Sequence, residues 1–153
     1  MTFDAADRSA LVEFTRKNPL AVLATAGLDG RPESALVSIA MLDTGEIIAD
    51  SQANARKVAN LRQNRDVALV VGTSGSVSVQ IEGTAVIPSG LARDRAVASY
   101  RLRFPDSRAG DPRLEMIAIS PSWVRVYDIS GASPVSSEAV WPSETGAPEL
   151  DHG

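Results

Sequence analysis

Two hydrophobic periodicities alternate along this chain. Residues 20–25 form an apolar run of strand length, residues 32–42 are apolar with Ser34 and Ser38 as interruptions, and residues 46–50 and 66–71 repeat the type. Residues 77–86 alternate apolar and polar at period two, as a strand with one buried face requires. Residues 4–17 instead place Ala10, Leu11 and Phe14 at helical spacing, with Asp4 or Asp7 as N-cap and Asn18-Pro19 as the stop. A helix is also predicted over residues 91–102, with Ser89 as its cap, Leu91, Arg95, Ala98 and Leu102 on one face, and Phe104-Pro105-Asp106 ending it. Residues 116–119 and 123–127 predict two final strands divided at Ser120-Pro121. Tight turns at residues 28–31 and 43–45 and a flexible one at 72–76 join neighbouring runs. About six or seven strands, mostly hairpin-linked, with helices between groups of strands, predict a mostly β protein with flanking helices built as an antiparallel barrel. From Gly131 the chain is rich in Ser, Pro, Glu and Gly and reads as a mobile tail or an arm over a partner.

One stretch interrupts the strands with chemistry. Residues 51–64 begin as a polar turn and continue as a short helix whose first turn carries Arg56 and Lys57. Free N–H groups and the positive dipole end at a helix head favour an anion. Arg56 adds a planar fork matched to phosphate oxygens, and Lys57 adds a mobile point charge. The same residues also fit an ordinary surface helix, with Asn54 as cap, Arg56, Lys57 and Arg62 in solvent, and Val58 and Leu61 on the core.

Composition narrows the choice. A chain of 153 residues with 44% hydrophobic residues is one domain with a core of its own. Zero cysteines remove disulfides, thiol catalysis and zinc-thiolate sites, and fit a reducing cytosol. The expectation is a cytoplasmic protein, since no apolar run spans a bilayer and the N-terminus lacks signal-peptide features. A net charge of -4 and 5% aromatic residues argue against nucleic-acid binding. The single histidine, His152, stands next to the last residue, which disfavours a Ser-His triad, a histidine metal site or an axial haem ligand. Redox or transfer chemistry here must come mainly from a bound cofactor.

The order of motifs resembles the pyridoxamine 5'-phosphate oxidase-like, FMN-binding split β-barrel superfamily. The likeness rests on Leu23-Ala24-Thr25, Asp29-Gly30-Arg31-Pro32, Asp50-Ser51, Arg56-Lys57, and Asn60-Leu61 followed by residues 64–69. It continues through residues 81–85 and 121–126, and covers about residues 8 to 130. It implies a split antiparallel barrel over residues 1–130, followed by the tail of residues 131–153. It further implies a homodimer holding FMN, or the deazaflavin coenzyme F-420, in grooves between subunits. By that resemblance Arg56 and Lys57 grip the cofactor phosphate, and Asp50 and Ser51 stand beside the phosphoribityl or ring region. Ala35, Leu36, Val37 and Ser38 run along the ring, Ser78 or Gln80 reaches the cofactor, and Tyr127 comes from the other subunit.

The chain also departs from the pattern at positions that matter for activity. Where the founding oxidase keeps a lysine for its substrate's phosphate, Ala40 stands. Its Arg-Pro motif after the long helix is only echoed by residues 100–107, and its C-terminal Arg-x-His pair is missing. The reading is an FMN-dependent oxidoreductase of unknown substrate rather than a true pyridoxamine phosphate oxidase. A deazaflavin reductase, which would use further cations such as Lys17, Arg62 and Arg65, is one alternative; a non-catalytic flavin- or haem-binding protein is the other.

Overall fold

The computed structural model of the chain describes residues 2–142. Helix α1 (Arg8–Lys17) leads into β1 (Leu20–Ala26), β2 (Pro32–Met41) and β3 (Ile47–Gln52). Helix α2 (Arg56–Gln63), β4 (Asp66–Val71), β5 (Val77–Val86), α3 (Gly90–Arg103), β6 (Leu114–Asp128) and β7 (Val135–Val140) follow. All pairings are antiparallel, in the order β3-β2-β1-β4-β5-β6-β7, and a further β3–β6 pairing closes the first six strands into a barrel. Closure leaves alternate residues pointing inward, and these are the apolar ones: Leu23, Ile39, Ile47, Leu69, Ile81 and Ile119 are nearly inaccessible. The hydrophobic runs are therefore explained by burial within the barrel rather than by a parallel sheet covered on both faces.

Helix α1 is capped by Asp7, whose carboxylate accepts the Ala10 N–H at 3.0 Å. Those bonds hold the Asp7 carboxyl below its ordinary range. Helix α3 lies outside the barrel over β2, β3 and β6, where Ala96 and Tyr100 cover Ala40, Ile48 and Met116 in a second apolar cluster. The expected face of Leu91, Arg95, Ala98 and Leu102 is thus the wrong stripe; Leu91 and Leu102 are exposed. Small alanines at Ala40 and Ala96 let the helix approach the sheet, a selection that residue hydrophobicity alone does not reveal.

Two further expectations change. The division at Ser120-Pro121 is no strand break: β6 runs unbroken for 15 residues and absorbs the proline as a bulge, where the register against β5 shifts between Glu82 and Gly83. Gly83 makes this possible, because a Cβ there would sit 2.3 Å from the Ser120 carbonyl oxygen. The stretch after Gly131, read as a tail, contains β7, which pairs with β6 from Trp123↔Val140 to Asp128↔Val135. Beyond it Trp141 turns into the core, and its indole N–H donates to the Ala5 carbonyl at 2.8 Å. The Ser137 hydroxyl accepts the Ala5 N–H at 2.9 Å, so this arm closes over the chain's own N-terminal segment. Residues 143–153, including His152, lie outside the described residues.

Candidate functional site

The site assembles where β3 leaves the barrel. Asp50 and Gln52 occupy the outer face of β3, while Ser51 turns inward, is buried, and donates its hydroxyl to the Gln52 carbonyl at 3.2 Å. Residues 53–55 then step onto α2, anchored by the Ala53 N–H donating to the Arg113 carbonyl at 2.9 Å. The N-cap of α2 is Ala55 and carries no side-chain cap, so Asn54 does not play the expected capping role. Val58 and Leu61 are buried, as their spacing predicts. Asn60 is also buried and donates to the Thr25 hydroxyl at 3.1 Å and to Glu33 at 3.4 Å, which fastens α2 against β1 and β2.

That fastening leaves the head of α2 facing outward with its two cations. Arg56 is exposed and Lys57 partly so; no hydrogen bond or ion pair engages either among the described residues. Other cations nearby are committed: Arg62 lies 3.5 Å from Glu115, which also meets Arg93 at 3.6 Å, and Arg113 clamps Asp111 at 2.8 Å. The Arg113 hydrogen bonds pull the Asp111 carboxyl down to about 2. Beside the 52–54 turn lies an open cavity of about 440 Å³ walled by Arg108, Asp111 and Arg113. An uncapped helix head with two adjacent cations makes a donor set that fits a phosphate monoester; the cavity lies beside it, and neither Arg56 nor Lys57 lines that cavity.

The expected ring-side residues divide by parity. Leu36 and Ser38 point to the outer face of β2, whereas Ala35 and Val37 turn toward the barrel interior. Ser38 and Asp50 are brought together by Tyr100 of α3, whose hydroxyl lies 3.3 Å from the Ser38 carbonyl and 3.4 Å from the Asp50 carboxylate. Burial raises the Tyr100 hydroxyl's pKa, with a contribution from the Asp50 charge, and burial also raises that of the Asp50 carboxyl. From sequence, Tyr100 and the residues up to Ser107 stood only as the echo of an Arg-Pro motif, and Arg108 was not singled out. Tyr100 also lies four residues from both Ala96 and Phe104, a spacing that puts it on the packed face of α3.

Ser78, Gln80 and Tyr127 lie elsewhere. Ser78 faces Tyr127 across β5 and β6, and Arg125 stacks over the Tyr127 ring at 5.5 Å. One transverse row on the outer face reads Leu36, Val22, Val70, Gln80, Arg125 and Glu138. Leu36 and Gln80 are thus three strands apart, about 14 Å at the usual spacing between strands. Between them Leu36 is 61% exposed and Val70 39%, and Val22, Ala24, Ala68 and Trp123 line a shallow apolar depression. Within one chain the structure does not bring Ser78, Gln80 and Tyr127 to Arg56 and Lys57.

The sequence profile of the family described as pyridoxamine 5'-phosphate oxidase matches residues 8–128. The chain belongs to this family. No curated protein matches it. Among solved structures, a heme-binding protein from Mycobacterium smegmatis superposes with a TM-score of 0.72 at 17% identity, over 92% of this chain and 59% of that one. This chain therefore spans little more than half the length of that relative. A pyridoxamine 5'-phosphate oxidase-related, FMN-binding protein from Nostoc punctiforme aligns with a TM-score of 0.63 at 15% identity, over 91% of this chain and 98% of the other. HutZ, a heme storage protein from Vibrio cholerae, gives 0.64 at 17% identity over 78% and 91%. At such identities the likeness is one of fold: a split barrel of the pyridoxamine 5'-phosphate oxidase type. Among the described residues no helix is long and apolar enough to cross a membrane, and no group of three or more His, Cys, Asp or Glu could hold a metal ion.

Proposed function

We propose that this family member is an FMN-dependent oxidoreductase acting on a substrate other than pyridoxamine phosphate. The observation that carries the reading is the Arg56-Lys57 pair at the open head of α2, free of protein partners among the described residues. The family's FMN-binding neighbour supports the choice of ligand. FMN, when bound, would supply the redox chemistry. The chain would anchor its phosphate through Arg56 and Lys57 and present the outer face of residues 36–38 and Asp50 to its ring. Ala40 speaks against the founding activity: it packs beneath Ala96 and Tyr100 and offers no ammonium to a substrate's phosphate.

The active form in this reading is a homodimer. The exposed apolar row through Leu36, Val22 and Val70 lies between two groups of candidate residues that one chain keeps apart. A two-fold packing on that row would lay Ser78, Gln80 and Tyr127 of one copy against Ser38 and Asp50 of the other. FMN is preferred over the deazaflavin because Lys17 pairs with Glu13 at 3.1 Å and Arg62 with Glu115, which leaves fewer cations for a longer anionic tail.

A flavin fluorescence titration with FMN and with riboflavin, which lacks the phosphate, tests the assignment. Two charge-assisted contacts at about 1.5 kcal/mol each predict that Arg56→Ala with Lys57→Ala weakens FMN binding about 100-fold. Riboflavin affinity should not change. Equal FMN affinity in wild type and double variant would overturn the reading, and competition with the deazaflavin ranks the two cofactors.

A further inference from the structure

Helix α3 turns one stripe to the barrel and the opposite stripe to solvent. Ala96 and Tyr100 are buried against the sheet, while Leu91, Arg95, Ala98 and Leu102 share the outward face and are all exposed. Leu102 is 84% exposed and Leu91 73%, so a formed helix holds both leucines in water. Asp94 and Arg101 run along one flank of that face. Both are exposed, and no hydrogen bond or ion pair engages either among the described residues. Helical rise sets Asp94 and Arg101 about 10.5 Å apart along the axis, and Leu91 and Leu102 about 16.5 Å apart on the other flank. The midpoints of the two pairs fall within about 1.5 Å of each other, beside Val97 and Ala98.

We propose that this outward face docks a second copy of the chain, α3 against α3 in antiparallel order, about a two-fold axis beside Ala98. A face that meets itself across a two-fold must carry each group and its complement at equal distances on opposite sides of one point. Helix α3 does so twice. On one flank Asp94 of each copy faces Arg101 of the other, and on the other flank Leu91 of each copy faces Leu102. A parallel pair would instead set each charged flank against the partner's leucines, which fixes the direction. Ala98 stands at the centre with only a methyl group, so the two axes can approach to the usual distance of about 8–10 Å. Arg95 lies outside the leucines and stays in water. A contact of three helical turns is small, so the association is weak and concentration-dependent. The face shares no residue with the row through Leu36, Val22 and Val70, and it does not rest on the proposed flavin function. If both contacts form, the row makes dimers and α3 joins one dimer to the next.

Sedimentation velocity of the full chain across a wide concentration series tests the contact, with Val70→Glu as the background so that the apolar row does not contribute. That variant should sediment as a monomer when dilute and as a dimer when concentrated, less so at high salt. Adding Asp94→Arg alone, or Arg101→Asp alone, should weaken the association about 10-fold, because each brings like charges together on the charged flank. All these positions are at the surface, and circular dichroism checks that each variant keeps its fold. An equimolar mixture of the two charge variants should associate again, since each supplies the charge the other lacks, and both reversals in one chain should do the same. An unlike partner for this face would leave purified Val70→Glu monomeric throughout, and that result overturns the proposal. Association that neither reversal weakens, or that the mixture does not restore, also overturns it. If α3 behaves as stated while the otherwise unaltered chain forms nothing larger than this dimer, the α3 contact stands and pairing through the row fails.

Discussion

Trp141 is the residue whose removal should cost this protein most. It is 5% exposed, its ring edge approaches within 2.8 Å of where a Cβ on Gly45 would lie, and its N–H is satisfied by the Ala5 carbonyl. The Arg8 guanidinium covers the outer face of the ring at 4.8 Å. Trp141→Ala deletes a large buried ring, for which a cost of about 3–5 kcal/mol is usual, and leaves the Ala5 carbonyl without its donor. The expected loss is about 4 kcal/mol, or a Tm lower by about 10–15 °C for a chain of this size. Urea unfolding followed by far-ultraviolet circular dichroism measures it, with the slope against denaturant unchanged if both states keep their compactness. Trp141→Phe keeps most of the bulk and should cost about 1–2 kcal/mol, which separates the hydrogen bond from the packing. A loss below about 1 kcal/mol for Trp141→Ala would refute the reasoning, because an arm that merely lay on the surface would contribute no more than that.

Three other substitutions probe the fold and the site. Gly83→Ala should cost about 3 kcal/mol by chemical denaturation, since its Cβ would strike the Ser120 carbonyl and the Pro121 backbone rather than a side chain able to move. Asn60→Ala should cost about 1–3 kcal/mol and loosen α2, read as faster amide exchange over residues 56–63, because it strands the buried Thr25 hydroxyl. Asp50→Asn should raise the Tm at pH 7 and leave it unchanged at pH 3. The sign comes from burial: the folded carboxyl has a raised pKa, so its contribution to stability is present at low pH and lost as pH rises through that value. A lower Tm for this variant at pH 7 would show that the Tyr100 hydrogen bond outweighs desolvation.

The local elements were legible because each is specified by neighbours in the chain. Seven apolar or alternating runs match strands to within a few residues, although the last two are halves of one strand and β7 went unread in the Ser- and Pro-rich end. Pro121 misled because a proline reads locally as a break, whereas a bulge opposite Gly83 accommodates it. Val135 to Val140 misled because an edge strand half in solvent lacks the apolar alternation that marks a buried one. The basic head of α2 was visible for the same local reason that the strands were: adjacent side chains and one helix turn suffice to define it.

What tertiary structure alone decided is which distant residues meet. The closing pair of β3 and β6, the approach of Tyr100 to both Ser38 and Asp50, and the seat of Trp141 between Ala5 and Gly45 join positions 50 to 136 residues apart. No pattern in one segment records its partner, because such contacts arise from shape and desolvation once several elements have packed together. The chain by itself therefore declared a barrel and a cationic helix head. Only packing brought Tyr100 onto Ser38 and Asp50 and separated Arg56 and Lys57 from Ser78, Gln80 and Tyr127, since strand order and side-chain parity are properties of the assembled sheet.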